Sequence, residues 1–308
     1  MNNLAEHQIS GTEFNQEPRS HLSHDDHKIA AFVNENTGNI DWETVESFGE
    51  EWNKFSKFSD AELSSIGGDY FDIVTDSMLD KNSRVLDVGC GTGRWTKYVC
   101  SRSGFVEAID PSKAVLVAAA MLANENNVRV SQAEVDNIPF EDASFDFIFS
   151  LGVLHHIPDT PTAMKKCVEK LKPGGHFLVY LYYNFENRGV LFRLIFQLSN
   201  HIRSAICKLP TGLKKPVCDC LAFTIYFPLA LLSRLKKKMA GDAYKKIPLS
   251  YYHDKTLNVM RNDSLDRFGT PLEQRFSKAD ITEMMQACGL TEIRFSQNEP
   301  YWHVVGKK

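Results

Sequence analysis

The stretch that most constrains this chain is Val85-Leu86-Asp87-Val88-Gly89-Cys90-Gly91-Thr92-Gly93-Arg94-Trp95. Val85, Leu86 and Val88 read as a buried strand. Three glycines at alternate positions then break it, and Trp95 to Cys100 reads as a helix. The pattern is strand, tight loop, helix N-terminus. Glycine admits positive φ and lets a ligand approach the main chain closely. The free N–H groups of a helix start favour an electronegative group. The Gly-x-Gly-x-Gly spacing differs from the dinucleotide fingerprint and from the P-loop, and no Gly-Lys-Ser/Thr follows. A glycine loop alone is a common turn, so the reading rests on what stands downstream.

Gly104 to Asp110 reads as a second strand ending in an acid, with Asp110 19 residues past Gly91. In doubly wound folds an acid at about 20 residues from the loop binds a ribose diol. A carboxylate suits that task because it accepts hydrogen bonds and donates none. Then follow a helix over Ala114–Asn124, a short strand Val128–Val130, a strand Ser144–Ser150 and a helix Ala163–Leu171. Lys172-Pro173-Gly174-Gly175 is a turn, and His176 to Tyr183 a fifth strand. Much later, Ser277 caps a helix to Cys288 with Asp280 three residues on. Gly289 closes it, and strands Leu290–Ser296 and Trp302–Gly306 follow.

Together these segments resemble the class I S-adenosylmethionine-dependent methyltransferases, with a type 11/25-like, ubiquinone-methylase-like core. The resemblance rests on Asp87 two positions before the first glycine, on Asp110, on Ala133 to Phe140, on Phe145-Asp146 before the fourth strand, and on Lys172-Pro173-Gly174-Gly175. It covers residues 83–183 well and 275–308 loosely. It implies an α/β fold: a Rossmann-like, doubly wound, seven-stranded sheet with an N-terminal helical lid and a large helical insertion after the fifth strand. It also implies S-adenosyl-L-methionine as cofactor. The implied cofactor contacts are Asp87, Gly89, Cys90, Gly91 and Gly93 in the loop, Asp110 and Pro111 after the second strand, Glu134 and Val135 at the adenine, and Leu151 after the fourth strand. Asp136 competes with Glu134 for the adenine amino group. His155 is the candidate catalytic base, since imidazole takes a proton near neutral pH. The rival reading is that it packs or caps the next helix.

The implied reaction is methyl transfer to a small-molecule or amphiphilic acceptor, anionic or lipid-like. Ser150-Leu151-Gly152-Val153 stands where amide and exocyclic-amine methylases carry Asn-Pro-Pro-Tyr, which argues against those acceptors. Two alternatives stay open: a non-catalytic cofactor-binding partner protein, and a methyltransferase acting on protein or RNA.

The organisation expected is a polar flexible leader over 1–38, a helical lid over 39–82, the cofactor core over 83–184, a basic helical insertion over 185–272 and a C-terminal completion over 273–308. Phe48, Trp52 and Phe55 fall on one helical face, either core packing or a lid. His24-Asp25-Asp26-His27 lacks further clustered ligands, so no metal site is assigned. The seven cysteines are scattered without a Cys-x-x-Cys pair, which indicates a reducing cytoplasm.

The insertion departs from the minimal core. Between 186 and 247 stand twelve basic residues and three acids, a local excess of nine positive charges in a chain of net charge −4. The same stretch is apolar at Val190-Leu191-Phe192, Leu194-Ile195-Phe196 and Leu221 to Leu232. No run in the chain reaches the roughly 18 apolar residues that a membrane-spanning helix needs. Basic, apolar helices suit a cap on the core or contact with a membrane surface, placing the protein in the cytoplasm or at the membrane periphery. Nucleic acid is disfavoured because no recognition motif accompanies the charge. The oligomeric state is not encoded.

Overall fold

The computed structural model describes residues 10–24, 27–34, 38–46, 60–186 and 189–308. The aromatic face of Phe48, Trp52 and Phe55 lies outside them. The chain forms two units, 1–184 with 272–308, and 185–271.

The first unit is built on one nine-stranded sheet. In chain order its elements are β1 (Ser20–His24), β2 (His27–Ala31), α1 (Asp60–Tyr70), β3 (Arg84–Val88), α2 (Arg94–Cys100), β4 (Phe105–Asp110), α3 (Ala114–Met121), β5 (Val128–Gln132), β6 (Phe145–Leu151), α4 (Thr160–Glu169) and β7 (Leu171–Tyr180). After the second unit come α9 (Lys278–Ala287), β8 (Thr291–Phe295) and β9 (His303–Lys307). The strand order is β1-β2-β5-β4-β3-β6-β7-β9-β8. β5, β4, β3, β6 and β7 are parallel neighbours, while β9 is antiparallel to both β7 and β8. Parallel strands buried on both faces read as near-continuous apolar runs. Val85, Leu86, Phe147, Ile148, Phe149, Phe177, Leu178 and Val179 are all fully buried.

The seven-stranded, doubly wound sheet expected from the sequence is therefore present, and it is extended by two strands. β1 and β2, whose residues are expected in a flexible leader, pair antiparallel, and Ala30 and Ala31 of β2 pair in parallel with Ser131 and Gln132 of β5. Ile29, Ala31 and Phe32 are buried, and Phe14 packs on Phe32 with ring centroids 4.7 Å apart. The polar composition of this segment hides three apolar anchors, which suffice because β5 would otherwise be an open edge. His24 and His27 face each other at the end of the hairpin.

The helix α9 begins as predicted. Ser277 Oγ accepts from the Asp280 N–H at 3.0 Å, and the Asp280 carboxylate accepts from the Ser277 N–H at 2.8 Å, a complete capping box. β7 starts earlier than predicted. Leu171 already pairs with Phe145, and a bulge opposite Asp146 absorbs the Lys-Pro-Gly-Gly segment inside the strand.

The second unit, Phe185–Pro271, is helical: α5 (Val190–Ile206), α6 (Thr211–Leu221), α7 (Phe227–Ala240) and α8 (Leu257–Gly269). It has its own small core of Ile206, Cys218, Tyr226, Ala230, Met260 and Phe268. One turn of π-helix over Ala222–Tyr226 joins α6 to α7, so the chain is helical from Thr211 to Ala240, and a 3₁₀ segment over Gly241–Lys246 follows. By length and composition this helix could cross a membrane, which corrects the expectation that no stretch reaches that limit. Pro228 breaks the apolar run in the sequence, and inside the helix it stands just after the π-helical turn over Ala222–Tyr226, where the regular i→i−4 ladder is already interrupted.

Candidate active site at the carboxyl edge of the sheet

The chain leaves β3 for β4 on one side and later returns to β6 on the other. The crevice at the carboxyl ends of β3 and β6 is thus the topological switch point of the sheet, where ligands bind in open α/β folds. The glycine loop and the segment after β6 meet there. Gly89 has φ +81°, and a Cβ on it would come within 2.4 Å of Val153. Gly93 has φ +84°, and its Cβ would press to 2.8 Å from Leu122 of the helical segment after β4. Side chains at these two positions would be strained in the backbone and would push the loop off its neighbours. Gly89 and Gly91 are partly exposed, while Cys90 and Thr92 turn inward.

Two acids fix the loop. Asp87 is 1% exposed and accepts from Thr96 Oγ1 at 2.6 Å, tying the end of β3 to α2. Burial pushes its carboxyl up to about 8. Asp110 ends β4 and accepts from the Gly91 N–H at 3.0 Å, the Ser112 N–H at 2.8 Å and Ser112 Oγ at 2.6 Å. A carboxylate offers about four acceptor positions, so one remains open, and rotation of the Ser112 hydroxyl frees another. Burial raises the Asp110 carboxyl as well. Pro111 follows, its carbonyl accepting from Gln132 Nε2 at 2.9 Å.

Past β5, Glu134 is 4% exposed and Val135 begins a 3₁₀ turn containing Asp136. Both acids keep one buried carboxylate oxygen without a partner, Glu134 Oε2 and Asp136 Oδ1. The other Asp136 oxygen accepts from the Asn39 N–H at 2.6 Å. Burial, then the Asp136 charge, raises the Glu134 carboxyl. An unpartnered buried acceptor is costly, and an N–H donor from a ligand would satisfy it. The acceptor set of Asp110, Glu134 and Asp136 therefore fits an adenosine, which presents a diol and an exocyclic amine.

Leu151 is buried at the end of β6. His155 is fully buried four residues on, and neither ring nitrogen has a partner among the described residues. Burial holds it well below the usual imidazole range, so the ring is neutral at pH 7. Its ring stacks on Tyr182 at 3.8 Å between centroids and 28° between planes, with Tyr180 edge-on at 6.4 Å. Tyr70, at the end of α1, reaches Tyr180 at 5.1 Å and Trp95 at 4.8 Å.

Sequence reasoning missed one part of this arrangement, the strap over residues 272–276. The Gln274 N–H donates to the His155 carbonyl at 2.9 Å, and Gln274 Nε2 donates to the Ile157 carbonyl at 2.6 Å. His156 Nδ1 lies 2.6 Å from the Leu272 carbonyl. Arg275 sits 5.0 Å over the Tyr182 ring and pairs with Glu273 at 2.8 Å. The only local signal was the polar run Glu273-Gln274-Arg275 before the capped helix, with nothing to tie it to residues more than a hundred positions away.

The family described as methyltransferase domain matches residues 86–179. The ubiquinone biosynthesis O-methyltransferase of Alkalilimnicola ehrlichii is 34% identical over 115 residues, 36% of this chain and 46% of that one. The demethylmenaquinone methyltransferase of Staphylococcus aureus is 36% identical over 107 residues, 33% of this chain and 44% of that one. The chain thus spans about half the length of the curated relatives it matches. A solved S-adenosylmethionine-dependent methyltransferase from Methanosarcina mazei aligns over 75% of this chain and 95% of its own, at 15% identity and a TM-score of 0.46. The matched segment holds the loop, both strand-end acids and His155, and the sheet around it has the expected order. Residues 86–179 of this chain thus form a methyltransferase domain.

Proposed function

We propose that this protein transfers the methyl group of S-adenosylmethionine to a small, flat, amphiphilic acceptor. The observation that carries the reading is the convergence of the glycine loop, Asp110 and the Glu134–Asp136 pair on one crevice at the switch point. The cofactor supplies a methyl group already activated by its sulfonium. The chain's own task is to bind, align and exclude water. Asp110 takes the ribose diol, Glu134 takes the adenine amino group beside the Val135 N–H, and the backbone of Gly89 to Gly93 faces the methionine end. Leu151 and Cys90 supply apolar walls.

On the acceptor side, Tyr180 and Tyr182 offer an aromatic wall that suits a planar ring, with the buried His155 ring stacked on Tyr182. Neutral His155, with both nitrogens unpartnered, can take a proton from a hydroxyl acceptor as its oxygen is methylated. Arg275 would favour an anionic acceptor oxygen nearby. Two relatives whose names refer to quinone compounds agree with such an acceptor class.

Calorimetric titration with S-adenosylmethionine and S-adenosylhomocysteine tests the reading first. Binding of both is expected, and Asp110→Ala should weaken it by about 2–4 kcal/mol through loss of charge-assisted hydrogen bonds. Unchanged affinity in that variant removes the ribose assignment. Absence of binding in the wild type removes the reading itself.

A further inference from the structure

All fourteen large apolar side chains that stand exposed among the described residues lie between Val190 and Tyr251, inside the helical unit. They are ordered. In α5, Val190, Leu194, Leu198 and Ile202 recur every four residues, and Leu198 is 62% exposed. In α7, Phe227, Leu231, Leu235 and Met239 repeat the same spacing, and Met239 is 86% exposed. Side chains four apart share one face of a helix. Each helix therefore presents a continuous apolar stripe to solvent, beyond the single exposed residues that any surface carries.

The opposite face of α7 is already used. Ala230 and Ser233 are buried, and Ala230 belongs to the unit's own core with Tyr226, Met260 and Phe268. Of the most apolar window in Gly212–Lys246, only 28% is buried. A helix packed on one side and apolar on the other is built to lie in an interface rather than to cross it. Charge identifies the interface. Lys236 and Lys238 are exposed beside Leu235 and Met239, and Lys245 and Lys246 follow. Long lysine stems can lie along apolar surface while their ammonium groups reach out of it. A second copy of this chain fits poorly, because a two-fold contact would set the same cationic patch against itself.

We propose that the Phe185–Pro271 unit docks on the surface of an anionic phospholipid bilayer. The stripes of α5 and α7 enter the boundary between headgroups and acyl chains, and Lys236 and Lys238 meet lipid phosphates. This inference is independent of the methyl-transfer reading.

Flotation of the full chain with vesicles tests it. One set is phosphatidylcholine alone, and the other contains about 30% phosphatidylglycerol, a source of negative surface potential. Partitioning should be at least about ten-fold stronger on the anionic set and should weaken in high salt. Lys236→Gln with Lys238→Gln should lower it by about five-fold per charge. Leu231→Ser with Leu235→Ser should abolish it, while cofactor affinity and melting temperature, set elsewhere, stay near wild type. Equal partitioning on both vesicle sets, or none on either, overturns the proposal. So does a dimer in solution that the Leu231→Ser, Leu235→Ser variant dissociates, which would assign the stripes to a second copy.

Discussion

At Asp87 a carboxyl is enclosed and accepts from the Thr96 hydroxyl, and burial outweighs both that hydrogen bond and the charge of Arg94. Its folded value of about 8 stands far above the ordinary carboxylate value it has in the unfolded chain. The folded state thus binds more protons between those values. The stability this group contributes is complete below the unfolded value and is lost as pH rises toward 8. Asp87→Asn removes that loss. In thermal melts without cofactor, the variant should gain on wild type as pH is raised from about 5 to about 9. Parallel pH profiles for the two proteins would show that the carboxyl is not buried as described. The ring nitrogens of His155 have no hydrogen bond among the described residues to lose, so His155→Asn should leave cofactor affinity unchanged and slow methyl transfer by about 10²–10⁴-fold. Turnover equal to wild type would assign the ring to packing against Tyr182.

At the scale of elements, the β1–β2 hairpin and the 272–276 strap are the two pieces that complete the sheet and the site from a distance. Phe32 follows β2, is 1% exposed and belongs to the principal core with Phe140 and Ile138. Phe32→Ala should cost about 3–5 kcal/mol in denaturant unfolding, and a loss below about 1 kcal/mol would detach the hairpin from the core. Neither piece was legible in the sequence. The hairpin reads as polar because only Leu22, Ile29, Ala30 and Ala31 within its strands, and Phe32 just after, are apolar. The strap reads as an ordinary connection because its hydrogen bonds run to His155 and Ile157, 119 and 117 residues back for Gln274. By contrast, the glycine loop, Asp110 and the capped α9 were legible because each is a local pattern with a local physical cause.

For the molecule as a whole, the basic excess and the acidic remainder separate into the two units. Each unit has its own core, so damage to one should be confined to it. Met260→Ala in the helical unit should destabilise that unit by about 2–5 kcal/mol while calorimetric affinity for S-adenosylhomocysteine stays at the wild-type value. A matching fall in cofactor affinity would show that the two cores do not unfold independently.

What the sequence determined by itself is the strand–loop–helix at Gly89 to Gly93, the acid at Asp110 and the order of elements that makes the sheet doubly wound. These follow from φ freedom, helix capping and apolar periodicity, which act over a few residues. Only the tertiary structure decided that a polar N-terminal segment extends the sheet to nine strands, and that His155 is sealed against Tyr182 without a partner for either nitrogen. It also decided that the helical unit leaves one apolar stripe on each of α5 and α7 facing solvent. Such outcomes depend on which surfaces remain to be covered once the local elements have packed, a property of the whole chain.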